Sequence, residues 1–468
     1  MVKSNRLDMT SGPLTGKIIS FALPVLLTNI LQLLYNSADM MVVGRFAEDG
    51  AGALAAVGST GTLFHLITNV FIGFSIGTGV VVAQAIGAQD RRRTQNLIET
   101  SILLTVISSV IVASVGYFIA EPLLRMMKTD PEVLGQATLY LRIVLIGSPT
   151  LICYNFGAAI LRAYGDTKRP LYFLLISGTL NVALNLVFVI GFRMDVAGVA
   201  LATVISQLVS SIFVWRYILR KDFPYRPELK HMKFHWDCIK EILRIGIPTG
   251  LQSSMFSISN ILMQSTINSL GKYVMAGSAA AINIEMYLNQ VNAAIGSAAM
   301  TFAGQNVGAQ KPDRVKKVMW ISLGVAVVAD LVLGSLLVIF GEQLLWLFNT
   351  DPLVIRYGMI RVVIMCSCYA LSAGMEVLGS HIRGMGYSTL PTMVNLVCIC
   401  VFRILFILFL YPILPQNILP FLQNQTEQSF FYVIAIFPIS YVLTVVGLSV
   451  TWVYYTRKMC RTMAQRSE

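Results

Sequence analysis

Asp39, Glu285, Asp330 and Glu376 stand inside long apolar stretches of the chain. An ionised side chain at the centre of a bilayer costs on the order of 3 kcal/mol or more, so such an acid is a functional candidate by default. Asp39 lies about 20 residues into its apolar run, roughly 30 Å up at 1.5 Å per residue. Asn181 and Asn185 are four apart and share one helix face. Counted from Pro170 they sit roughly 16–23 Å up, while Thr203 lies roughly 9 Å below the outer surface on the next run. One carboxylate, two amides and a hydroxyl at comparable depth could bind a proton or a sodium ion. The competing reading is hydrogen-bonded glue between helices, a common use of Asn and Thr in membranes.

Glu285 could bind a cation or couple to one in the second half of the chain. Glu376 is seven residues from Arg383, which equally allows a paired structural role. Asp330 could mark a lipid edge or pair with an arginine. Arg142, Arg361 and Arg403 also fall inside apolar runs and are available as partners for these acids. No metal set is expected, apart from sodium at Asp39. The histidines (His65, His231, His235, His381) are scattered, and Cys366/Cys368 and Cys398/Cys400 are each two apart, on different helix faces.

Positioning such groups requires membrane-spanning elements. The 468 residues are 56% hydrophobic and 12% charged, with mean hydropathy +0.70; soluble domains carry about 25% charge. Apolar runs of eighteen or more residues recur, each long enough for a bilayer core of about 30 Å. Backbone groups in lipid must pair within the segment, so these runs form helices. A β-barrel would show alternating segments of about ten residues instead. The pattern predicts an all-α membrane protein with twelve transmembrane helices, over 17–43, 52–84, 95–119, 134–161, 170–191, 197–219, 239–268, 277–304, 315–340, 355–382, 390–411 and 431–456. With the amino terminus inside, Lys and Arg number 26 in the inner segments against 6 in the outer loops. Both termini are therefore expected in the cytoplasm. The net charge of +12 reflects this bias rather than nucleic-acid binding. The polar start, Met1 to Pro13, is too short for a cleavable signal, and the first helix would serve as an uncleaved insertion signal.

The chain repeats itself. Gln84-Ala-Ile-Gly-Ala-Gln89 matches Gln305-Asn-Val-Gly-Ala-Gln310 at an offset of 221. At that offset Thr129-Asp-Pro131 matches Thr350-Asp-Pro352, and Arg162, Gly165 and Pro170 match Arg383, Gly386 and Pro391. Pro24 and Asn36 match Pro248 and Asn260 at 224. Such register sets the architecture: two pseudo-symmetric six-helix lobes, 1–220 and 239–468, joined by a cytoplasmic linker, 221–238. Six is even, so the lobes are parallel repeats, an arrangement that places a substrate path between halves in transporters. The position matching Asp39 is Met263, so the scaffold does not demand the acid; one coupling site in the first half is expected, with Asn36 a secondary candidate.

Gly73, Gly77 and Gly79 allow close helix approach, and the matched Pro24 and Pro248 are expected to kink their helices. Met, Tyr and Phe in abundance suit either lipid-facing packing or an adaptable cavity. No GxxxxGK[ST] phosphate loop is present, so an ion gradient is the expected energy source, without a cofactor.

Phe21-Ala-Leu-Pro24, Leu31-Gln-Leu-Leu-Tyr-Asn36-Ser-Ala-Asp39 and Val43-Gly-Arg-Phe46 resemble the first helix of the multidrug and toxic compound extrusion family. The Gln84–Gln89 and Gln305–Gln310 motifs, Leu161-Arg-Ala-Tyr-Gly-Asp166 with Ile382-Arg-Gly-Met-Gly386, and Ala197 to Thr203 fit as well. The resemblance spans nearly the whole chain and is nearest the prokaryotic DinF-like branch. It implies an antiporter, coupled to protons or sodium, that exports organic cations or drugs by alternating access, as a monomer in the prokaryotic inner membrane. Asp39 then matches the coupling carboxylate, Asn181 the fifth-helix Asn and Thr203 the sixth-helix Thr. Two departures stand out: Asn185 occupies a position that is often acidic in relatives, and Thr249 to Ser257 lacks the seventh-helix acid of sodium-coupled relatives. A flippase for lipids or lipid-linked oligosaccharides is the alternative. An enzyme or receptor is not expected, since neither a catalytic cluster nor an output domain is found.

Overall fold

The structure is a computed structural model that describes residues 7–47, 50–127, 129–228, 232–414 and 424–465. His231, the first six residues of the Met1 to Pro13 stretch and part of the 221–238 linker lie outside them. Each of the twelve expected runs is a helix: α1 (Leu14–Phe46), α2 (Gly50–Gly87), α3 (Arg91–Met126), α4 (Pro131–Tyr164), α5 (Lys168–Gly191), α6 (Asp195–Ile218), α7 (Trp236–Asn268), α8 (Lys272–Gly308), α9 (Pro312–Ile339), α10 (Pro352–Ser367 and Tyr369–Gly384), α11 (Thr389–Ile413) and α12 (Gln425–Gln465). The chain is a multi-pass membrane protein. By length and apolarity, nine of these helices can cross a bilayer, or ten if the bent α10 is one span. The other two, α7 and α8, are diluted by polar residues such as Gln252, Ser254, Asn260, Gln264, Asn289 and Asn292. Large apolar side chains such as Phe118, Val328, Leu331 and Val450 face outward, as a lipid-facing surface requires.

The repeat is written in the backbone as well as in the letters. Gly165 and Gly386 end α4 and α10 in the left-handed region, at φ +96° and +93°. Gly165 N–H donates to Arg162 O (2.9 Å) and Gly386 N–H to Arg383 O (2.8 Å). The following residues donate back to Leu161 (2.9 Å) and Ile382 (3.2 Å), so both motifs are glycine helix stops. Gln89 and Gln310 are left-handed too, at φ 57° and 55°. Asp130 and Asp351 each cap the next helix, accepting from the N–H two residues on, with proline at the first helical position.

One expectation is corrected in detail. The run 355–382 is not a single straight helix; α10 bends by 48° between Ser367 and Tyr369. There Cys368 N–H bonds Met365 O at 3.1 Å and Leu371 N–H bonds Cys368 O at 3.0 Å. These three-residue bonds replace four-residue ones and tighten the helix.

Contacts divide the chain into two compact units. The first comprises Met1–Gly12, Leu23–Ser254 and Gly304–Ala309; the second, Pro13–Ala22, Met255–Ala303 and Gln310–Glu468. In the first, Gly73 and Gly77 of α2 face Gly246 and Gly250 of α7. A Cβ on Gly73 would lie 2.5 Å from Gly246 O and 2.6 Å from Gly250 N. Only hydrogen side chains permit that approach. The repeated glutamine motifs meet here as well: a Cβ on Gly87 would overlap the Gln305 carbonyl, and one on Gly308 the Gln84 carbonyl. Gln305 also donates to Ala163 O at 2.7 Å.

In the second unit, Phe302 packs edge-on to Phe21, with centroids 5.8 Å apart. Its apolar core gathers Met263, Ala281, Leu288, Tyr369 and Phe430 among others.

Candidate functional site

Asp39 is buried on α1, 6% exposed. Its Oδ1 accepts from Asn185 Nδ2, and its Oδ2 from Thr203 Oγ1 at 3.1 Å. Asn185 Nδ2 also reaches Asn181 Oδ1 (3.4 Å), and Asn181 Nδ2 reaches Thr203 Oγ1 (3.4 Å). The four residues that depth alone grouped on α1, α5 and α6 form one hydrogen-bonded cluster inside the first unit.

Helix geometry explains the convergence. Gly178, Asn181 and Asn185 lie on one face of α5, at spacings of three and four, and all are buried. Tyr35 packs onto Gly178 so closely that a Cβ there would overlap its ring. Asp39 is one turn beyond Tyr35, so the glycine that admits the ring also sets α1 near enough for the carboxylate to reach the amides. Tyr140 of α4 lies within electrostatic reach of Asp39. Sequence reasoning missed Tyr35 and Tyr140; their place opposite the cluster depends on helix rotation. Asn36 is exposed, and its side chain joins no hydrogen bond among the described residues.

Two features define what this cluster can do. No Lys or Arg forms an ion pair with Asp39 among the described residues, so amides and a hydroxyl alone hold the carboxylate. Asn185 Oδ1 is buried without a hydrogen-bond partner. An acid beside an orphaned acceptor fits a small positive ligand, either a proton or a cation with oxygen ligands such as sodium.

The second unit treats two of its three candidate acids differently. Both oxygens of Glu285 are taken by Arg361, through Nε (2.8 Å) and Nη2 (3.0 Å), and Arg361 Nη1 bonds Ser278 (3.0 Å). Its cation site is thus filled by a guanidinium. Glu376 accepts from Ser380 (2.8 Å) and Arg383 (3.3 Å). Asp330 is 1% exposed and pairs with Asn292 of α8 at 2.9 Å rather than with an arginine. Arg142 bonds Glu121 at 3.1 Å. Arg403 binds Ser440.

Twelve helices, nine or ten of them able to span a bilayer, a repeated half and buried polar groups in each unit have the form of a membrane transporter. The MatE family model matches twice, over residues 24–187 and 248–409, and the chain belongs to that family. The two matches coincide with the two repeats. Relatives are named as multidrug resistance proteins and transporters. The chain is 28% identical over 386 residues to the probable multidrug resistance protein YoeA of Bacillus subtilis, covering 81% of this chain and 83% of that one. It is 28% identical over 384 residues to the probable multidrug resistance protein NorM of Thermotoga maritima, with 81% of each covered. A FAD transporter of Shewanella oneidensis is 24% identical over 372 residues, covering 78% and 81%. The fold agrees with a crystal structure of MATE in the bent conformation, at TM-score 0.86 and 21% identity over 97% of this chain and 98% of that one.

Proposed function

We propose that the chain is an ion-driven antiporter that exports amphipathic small molecules, organic cations and drugs among them, across the prokaryotic inner membrane by alternating access. Asp39 with Asn181, Asn185 and Thr203 binds the coupling proton or sodium ion. The observation that carries this reading is a buried carboxylate without a cationic side chain beside it. Neutralising it by a proton or sodium removes the penalty of enclosing a charge among α1, α5 and α6. A ligand shifts a conformational equilibrium only by its differential affinity for the two states, and moving it from 1:99 to 99:1 takes about 5.5 kcal/mol. The cost of burying a bare carboxylate is of that order. Lobes 1–220 and 239–468, joined by 221–238, are the moving bodies, with both termini cytoplasmic and the chain monomeric. The names of the relatives favour small-molecule efflux over lipid flipping.

The test is dye efflux from proteoliposomes under separately imposed proton and sodium gradients. Asp39→Asn keeps the size of the side chain but removes its charge and replaces one accepting oxygen by a donating NH2. It should abolish gradient-driven transport while the protein still folds; intact coupling in this variant refutes the assignment. The gradient that drives the wild type identifies the ion.

A further inference from the structure

The second unit lines a partly open cavity of about 480 Å³, within the range that takes a drug-sized ligand. Its wall carries four charged side chains, Glu285, Glu376, Arg361 and Arg403. Both acids are engaged: Glu285 by two nitrogens of Arg361 and Glu376 by Arg383 from behind. Arg403 is not. It is 3% exposed, and no carboxylate among the described residues lies within 4 Å of its guanidinium. Nε and Nη2 donate to the Ser440 hydroxyl, Oγ, at 3.0 and 2.9 Å, and the Tyr441 hydroxyl is a further, uncharged hydrogen-bond partner. The guanidinium carbon stands 4.2 Å from the centre of the Phe437 ring and 5.5 Å from that of Tyr441. These partners orient the positive charge without cancelling it. Arg361 approaches the same Phe437 ring, at 5.6 Å, so two guanidinium groups share a ring while one acid serves only Arg361.

A buried guanidinium that nothing neutralises is costly to keep in a membrane protein and marks a binding function. Its planar fork matches a carboxylate or phosphate. Around it, Met263, Met286, Met365 and Met375 line the same cavity, flexible thioethers that adapt to varied apolar bodies. We propose that this cavity binds amphipathic organic anions, with the acidic group on Arg403 and the apolar body against the methionines. The exported class then extends beyond cations. As cargo, the anion rests on the transport reading above; as a bound ligand, it does not, and the experiment reads binding.

Full-length protein in nanodiscs of phosphatidylcholine is dialysed against 1-naphthaleneacetate and, separately, its uncharged analogue 1-naphthaleneacetamide. The wild type should bind the acid tenfold or more tightly than the amide. Arg403→Gln should bring the two within about twofold, and Arg403→Lys should keep part of the preference. Asp39→Asn should leave the preference intact even where it abolishes transport, which separates this proposal from the coupling assignment. A second arm adds phosphatidylglycerol to the discs: displacement of the naphthaleneacetate identifies a lipid phosphate as an occupant, and no displacement identifies soluble acids. Either result supports an anion site. Equal binding of acid and amide by the wild type overturns the proposal, and so does a preference that survives in Arg403→Gln. The wild-type comparison decides even if Arg403→Gln does not fold.

Discussion

Replacing Arg361 by Met removes three hydrogen bonds from the interior of the second unit, two of them charge-assisted bonds to Glu285 and one to Ser278. Arg361 and Glu285 are each about 5% exposed. Among the described residues Arg361 supplies every side-chain hydrogen bond that Glu285 makes, so its loss strands a buried acid. Breaking a buried pair from one side costs about 3–5 kcal/mol, whereas replacing both members by apolar residues of similar volume is close to neutral or stabilising. The single variants Arg361→Met and Glu285→Leu should therefore each destabilise the protein by about 3–5 kcal/mol. The double variant should fall within about 1 kcal/mol of the wild type. Unfolding of purified protein in mixed micelles closes the cycle, with Met365→Leu as a control for a tolerated apolar swap at below about 1.5 kcal/mol. If Arg361→Met alone stays within about 1 kcal/mol of the wild type, or the double variant loses as much as the two singles together, the pair is not the buried unit described above.

Gly73→Val should destabilise by at least about 1–3 kcal/mol, because its side chain has no room against Gly246 and Gly250 of α7. Gly61→Ala, with open space around its Cβ position, should be neutral or slightly stabilising; thermal unfolding separates the two. Gly386→Ala should cost about 1–2 kcal/mol through its positive φ, and Gly165→Ala should cost more, because its Cβ would also lie 2.7 Å from the Leu7 carbonyl oxygen. Asn292→Ala should cost about 1–3 kcal/mol by removing the hydrogen bond to buried Asp330, while Asn289→Ala, at an exposed position, should be nearly silent.

Much of the architecture was readable because membranes enforce simple rules. Run length gave twelve helices; most observed ends fall within a few residues of the expected ones, while α3 ends seven residues later and α12 begins six earlier and ends nine later. The matched motifs at offset 221 anticipated matched backbone turns, since Gly165 and Gly386 do the same local work. The bend at Cys368 was not readable, because no proline or glycine marks it; a tightened turn in an otherwise helical sequence leaves no compositional trace. In the first unit, depth counting found Asp39, Asn181, Asn185 and Thr203 because each helix is a ruler of fixed rise. It missed Tyr35 and Tyr140, since depth says nothing of which way a helix is turned.

The sequence by itself settled what is local or periodic: the helices, their stops and caps, the duplicated half, and the presence of costly charges in oily runs. Tertiary structure alone decided how those charges were spent. Three arginines and four acids were available as partners, yet only Glu285 drew one of the three, Arg361, while Glu376 drew Arg383 and Asp330 drew an amide. Asp39, Asp330 and Arg403 were left without an opposite charge. Partner choice depends on helix rotation and on spacing of a few ångströms between segments 76 residues apart, as for Glu285 and Arg361, and neither quantity is encoded in any short stretch of residues.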